Sequence, residues 1–140
     1  MEFVKDPETL AWIDEIVKAF DEKSAITPQV ANFTLKLLEL LCQNEWDFVS
    51  IKEKGILEKI QLGISKHPEL QKPSTKLSHL QLLRAISKHS IGLHWLRQTR
   101  SWLLVIEYYQ KNGTIYIMRE ASCFLYDVLT KFTELMKDEV

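Results

Sequence analysis

Residues 27–64, TPQVANFTLKLLELLCQNEWDFVSIKEKGILEKIQLGI, hold three helical patterns in succession, and the pattern returns further along the chain. Thr27 followed by Pro28 is a capping residue and a first-turn proline. Val30, Phe33, Leu37, Leu38 and Leu41 then lie on one apolar stripe at helical spacing, and Asn44 ends the helix. A shorter amphipathic element runs from Trp46 to Glu53 with Phe48 and Ile51 facing one way. Lys54-Gly55 closes it, because glycine enters the left-handed conformation at little cost. Ile56, Leu57, Ile60 and Ile64 mark a third helix.

Working outward, Asp6-Pro7-Glu8 starts a helix by the same cap-and-proline logic, with Leu10, Ile13, Val17 and Phe20 as its buried stripe, widened by Trp12 and Ile16. Lys23 to Ile26 connects it to the Thr27 helix. Beyond Ile64, Pro68 and Pro73 discourage helix in the residues before them and make 65–73 the longest loop. Ser74 is positioned to cap a helix carrying Leu77, Leu80, Leu83 and Ile86. His89-Ser90 interrupts it, a short element spans Ile91 to Arg97, and Thr99 is placed to cap a helix with Trp102, Val105, Ile106 and Tyr109. Asn112-Gly113 stops that helix. The longest one follows, from Thr114 to about Lys137, with Ile117, Ala121, Phe124, Leu125, Val128, Phe132 and Leu135 on its inner side. No segment has strand character, so the fold class is all-α.

Advancing the Thr27 stretch by about 45 positions superposes Leu38 on Leu83, Leu41 on Ile86, Asn44 on His89, Phe48 on Leu93, Ile51 on Leu96 and Ile60 on Val105. A further copy begins after Gly113 at a slightly shorter offset. This arrangement of a short helix, a helix opened by glycine, and a long leucine-patterned helix resembles the armadillo family and, more loosely, HEAT repeats. Glu45 to Lys54 looks like a first helix, Gly55-Ile56-Leu57 with Ile60 like the start of a second, and Ser74 to Lys88 like a third. The resemblance implies a short right-handed α-solenoid of about three repeats, roughly 6–43, 44–89 and 90–137, forming one domain over 1–140. Triplets too small to bury their own apolar faces would share one core.

In importin-like armadillo proteins the third helices carry a tryptophan and an asparagine that bind an extended peptide. Here the asparagine positions hold Leu40, Ala85 and Asp127, and the tryptophan positions hold Lys36, Gln81 and Cys123. Neither ladder is present. The resemblance still implies a concave surface of third-helix side chains, made of Lys36, Gln43, Gln81, Arg84, Lys88, Asp127 and Lys131. Its positive charge would steer an acidic or amphipathic peptide there, and reversing Arg84 and Lys88 together is expected to weaken binding with little effect on stability. The alternative surface is a ridge of Trp95, Arg97 and Arg100, an aromatic among basic residues. Trp102, which coincides with Leu57, is expected in the core.

The expected function is a non-catalytic protein–protein interaction module, one domain of a larger protein, binding a short segment or helix of a partner. The first repeat lacks its beginning and the last helix has no capping stop, so self-association through an uncapped end is also expected. The alternative is nucleic-acid binding. Residues 51–100 carry ten basic and three acidic side chains, a net of about +7 against a whole-chain charge of -1.

No catalytic constellation, phosphate loop, metal site or cofactor motif is present in the sequence. His67 lies in a proline loop, His79 on an exposed helical face, and His89 and His94 are out of step for shared ligation. Cys42 and Cys123 sit in apolar helical runs and read as free thiols, implying an intracellular compartment, cytoplasmic or nuclear. No apolar run approaches the roughly 18 residues of a membrane span, so no membrane partner is expected.

Overall fold

The computed structural model describes residues 6–21, 26–111 and 114–138, which form eight α-helices and one 3-10 turn with no strand among them. The helices are α1 (Pro7–Asp21), α2 (Pro28–Leu41), α3 (Glu45–Glu53), α4 (Ile56–Lys66), α5 (Pro73–Ile86), α6 (Ser90–Gln98), α7 (Ser101–Gln110) and α8 (Ile115–Asp138), and the 3-10 turn is Pro68–Leu70. The stop expected at Asn112-Gly113 and most of the connection at 23–26 lie outside the described residues, as do the side chains of Ile16 and Leu135. Among the described residues no helix is long and apolar enough to cross a membrane.

Local chemistry sets the helix ends. The Thr27 hydroxyl accepts from the Val30 N–H at 3.2 Å, and Pro28 needs no partner for the N–H it lacks. Asn44 caps α3 by accepting from the N–H groups of Trp46 and Asp47 at 2.9 and 3.3 Å. Gly55, at φ 70°, turns the chain from α3 into α4, and Arg100, at φ 53°, does the same between α6 and α7. These two left-handed residues stand one expected repeat offset apart. Two expected caps are corrected. Lys72, not Ser74, occupies the N-cap of α5, because Pro73 takes the first helical position. Thr99 closes α6 instead of opening α7, its hydroxyl donating to the Trp95 carbonyl at 2.9 Å.

α5 lies between α2 and α8, while α1 packs on α4 and α7 on α8. One cluster of buried side chains runs the length of the molecule, from Phe20 and Leu38 through Phe48, Ile60 and Leu83 to Val105 and Phe124. Each contributes about 1.5–3 kcal/mol relative to exposure. The pairs superposed by the 45-residue shift share burial: Leu38 with Leu83, Leu41 with Ile86, Phe48 with Leu93, Ile51 with Leu96, and Ile60 with Val105. Asn44 and His89 both occupy N-caps.

Several apolar assignments change. Trp12, expected to widen the buried stripe of α1, is 42% exposed. On α2 the buried side chains are Ala31, Thr34, Leu35, Leu38 and Leu41, whereas Val30 and Phe33 are exposed. Trp102, expected in the core, is 39% exposed. Its counterpart Leu57 is buried on α4, which packs on α1 and α3, whereas α7 packs on α6 and α8.

Candidate partner-binding groove

The three long helices α2, α5 and α8 run side by side and parallel, since the residue numbers of their hydrogen-bonded partners rise together along each pair. Across the first pair, Lys36 Nζ donates to Gln81 Oε1, and Lys88 Nζ donates to Gln43 Oε1 at 3.0 Å. Each helix, with the turn that follows it, therefore gives one lysine and one glutamine to the other, both at a separation of 45 residues. Across the second pair, Arg84 reaches two carboxylates on α8, Nε to Asp127 at 3.2 Å and Nη1 to Glu120 at 3.4 Å. Lys131 Nζ donates to the Ser87 carbonyl at 3.1 Å.

Along these contacts lies an open groove of about 470 Å³, lined by Glu39, Gln43, Gln81, Arg84, Ala85, Lys88, Glu120, Asp127 and Lys131. Six of the seven third-helix residues picked from sequence line it. Lys36 stands beside it, joined to Gln81 and, at 3.4 Å, to Glu39. Glu39 and Glu120 were missed, although a signal existed: Glu39 follows Lys36 by three positions and Glu120 precedes Asp127 by seven, which places each on its neighbour's helical face.

The groove's charge is balanced, with three carboxylates against Arg84, Lys88 and Lys131. Partial burial pulls the Arg84 pKa down, but the hydrogen bond to Asp127 and the charges of Glu120 and Asp127 outweigh it and raise the value. Arg84 is thus already neutralised by α8. A glutamate at 84 would face two carboxylates, so the expectation that a double charge reversal leaves stability untouched does not fit this geometry.

The ridge loses its aromatic. Trp95 is buried, with its indole N–H donating to Glu58 Oε1 at 2.7 Å, while Arg97 and Arg100 remain exposed. Nor do the basic residues of the central third form one row, because Lys76 is buried with its ammonium 5.6 Å from the centre of the Tyr108 ring.

Three of the four histidines, His67, His79 and His89, are structural ties. His79 is not on an exposed face but fully enclosed, its Nδ1 2.9 Å from the Tyr108 hydroxyl. Burial pushes its imidazole down to about 4, leaving it neutral at neutral pH, and raises the Tyr108 hydroxyl well above its ordinary value. His67 is buried too, its Nε2 donating to the Phe20 carbonyl at 3.0 Å. His89 donates to the Cys42 carbonyl at 2.7 Å. Together with Lys131 on Ser87, these side chains occupy carbonyls at the C-terminal ends of α1, α2 and α5 that no further helical turn can use. Cys42 and Cys123 are free thiols; burial, and secondarily the charge of Asp47, pushes Cys42 up to about 12. No protein-family model matches the chain, and no curated protein matches it significantly.

Proposed function

We propose that this protein is an armadillo-like, non-catalytic interaction module whose polar groove across α2, α5 and α8 binds an extended segment of a partner protein. The observation that carries this reading is the clustering of six third-helix side chains around one open groove. Side-chain ties between successive long helices at separations of 42 to 45 residues, with Arg84–Glu120 at 36, support the repeat assignment.

The groove offers what a peptide main chain needs. Gln43 and Gln81 have their carbonyl oxygens occupied by lysines, so their NH2 groups are the ends left to offer. Glu39, Glu120 and Asp127 supply acceptors. An extended strand alternates N–H and C=O and can use both. Three parallel helices at about 8–10 Å spacing span roughly 20 Å, which about six extended residues cover. Balanced charge favours a polar segment of mixed charge over a purely acidic one.

Cross-linking pull-down read by mass spectrometry would supply the partner segment, and fluorescence anisotropy its affinity. We expect Gln43→Ala combined with Lys88→Ala to weaken binding at least about tenfold, because exposed groups at an interface act through specificity more than through folding. The melting temperature should barely move. Arg97→Ala with Arg100→Ala should leave affinity intact. Loss of binding in the ridge pair alone would move the interface to the α6–α7 side and end the groove reading.

A further inference from the structure

The ends of the helix stack carry the most exposed apolar side chains of the long helices. On α2, Phe33 is 58% and Leu40 71% exposed, with Trp12 of α1 meeting the Phe33 ring edge-on at 5.8 Å between centroids. On α8, Tyr126 is 72% and Leu129 67% exposed. The two contacts made inside the stack identify what these positions are.

Advancing α2 by the 45 residues that separate its lysine–glutamine pairs puts Phe33 and Leu40 on Ser78 and Ala85 of α5. Both are buried, on the same helical face as Ser74, Gln81 and Lys88, which bond to α2. Advancing α5 by about 42 puts its buried Thr75, His79, Leu82 and Ile86 on the buried Ile117, Ala121, Phe124 and Val128 of α8. In that register Arg84 and Ser87, which bond to α8, fall on Tyr126 and Leu129. Glu120 and Asp127, the partners of Arg84, fall through both shifts on Phe33 and Leu40.

The free faces are therefore the two unmatched halves of a contact the chain makes twice within itself. Where the internal contact sets an arginine between two carboxylates, the free halves set a tyrosine opposite a phenylalanine and a leucine. Both sides change from charged to apolar together, so each free half matches the other in the register the chain already uses. We infer that α8 of one molecule packs on α2 of a second copy, head to tail, with Tyr126 and Leu129 against Phe33 and Leu40. Such a contact uses different surfaces on the two partners and leaves one of each free at the ends, so it lengthens with concentration instead of closing. The inference rests on the repeat register proposed above and is independent of what the groove binds.

Sedimentation velocity of the full chain, from low micromolar to about 1 mM, reads the association directly. Wild type should grow through dimers to longer species. Phe33→Glu and Leu129→Glu, both at exposed positions, should each sediment as a folded monomer by circular dichroism, with association weakened at least about tenfold. An equimolar mixture of the two variants should form a dimer and nothing larger, since each keeps the half the other has lost. These variants retain the groove, so partner-segment affinity unchanged from wild type separates this result from the groove reading. Wild type monomeric throughout would overturn the inference. So would a dimer abolished by one substitution and untouched by the other, which is a two-fold contact, or binding of a foreign helix at Phe33 by a protein that never self-associates.

Discussion

His79 shows how one buried side chain ties stability to pH. Its folded value of about 4 lies below the ordinary 6.5, so on acidification the unfolded chain takes up a proton that the folded chain refuses. Its contribution is fully present above the unfolded value, declines as pH falls below it, and levels off below the folded one. We expect the step from about pH 7 to about pH 5 to cost roughly 2 kcal/mol through this group. Urea unfolding at both values checks it: His79→Gln should remove most of the acid sensitivity, and equal sensitivity in the variant would assign the effect elsewhere. None of this was legible in the sequence. Leu77, Leu80, Leu83 and Ile86 mark a single apolar stripe on α5, but α2 and α8 cover it on two sides, enclosing Thr75, Lys76 and His79 as well. Burial imposed by neighbours leaves no period in the helix that suffers it.

At the scale of elements, helix number and order were readable because prolines, Asn44 and Gly55 punctuate the chain by local chemistry. The buried face of α2 was not. Val30, Leu35, Leu37, Leu38, Leu40 and Leu41 run most of the way round it, so periodicity could not choose among faces, and a buried Thr34 gave no apolar signal. Leu38 and Leu83 survive either choice, and both are almost fully enclosed. Leu38→Ala and Leu83→Ala should each cost about 2–5 kcal/mol by chemical denaturation. Their near equality is the informative outcome, and a neutral result at either would break the correspondence between α2 and α5.

For the whole molecule, the groove was legible as a surface but not as a charge distribution. Gln43, Gln81, Arg84, Lys88, Asp127 and Lys131 share it because successive long helices lie side by side, which the repeat implied. That Arg84 is clamped by Glu120 and Asp127 depends on side chains 36 and 43 positions away, and on a helix-to-helix register that no local pattern encodes. The same holds for the ridge: Trp95 looked available until α4 brought Glu58 to its indole N–H.

The ties at the helix ends have a mechanical consequence. His89 on Cys42 and Lys131 on Ser87 tie the C-terminal ends of α2 and α5 to each other and to the later part of α8, like the ribs of a hand fan at its rivet. Towards the other end, α2 and α5 are joined by the longer Asn32–Ser74 hydrogen bond at 3.2 Å, amid apolar contacts that tolerate small sliding. We expect the collective motion to be a spreading of the ribs, which would widen the groove from its N-terminal end while the rivet holds. Spin labels at Gln29 and Arg119 should report a broader distance distribution than labels at Gln43 and Thr133, all four being exposed positions on α2, the turn after it, or α8. Equal widths would mean a rigid stack. In a spreading stack, a segment entering the groove meets its least resistance at the open edge, and threads toward the gathered one.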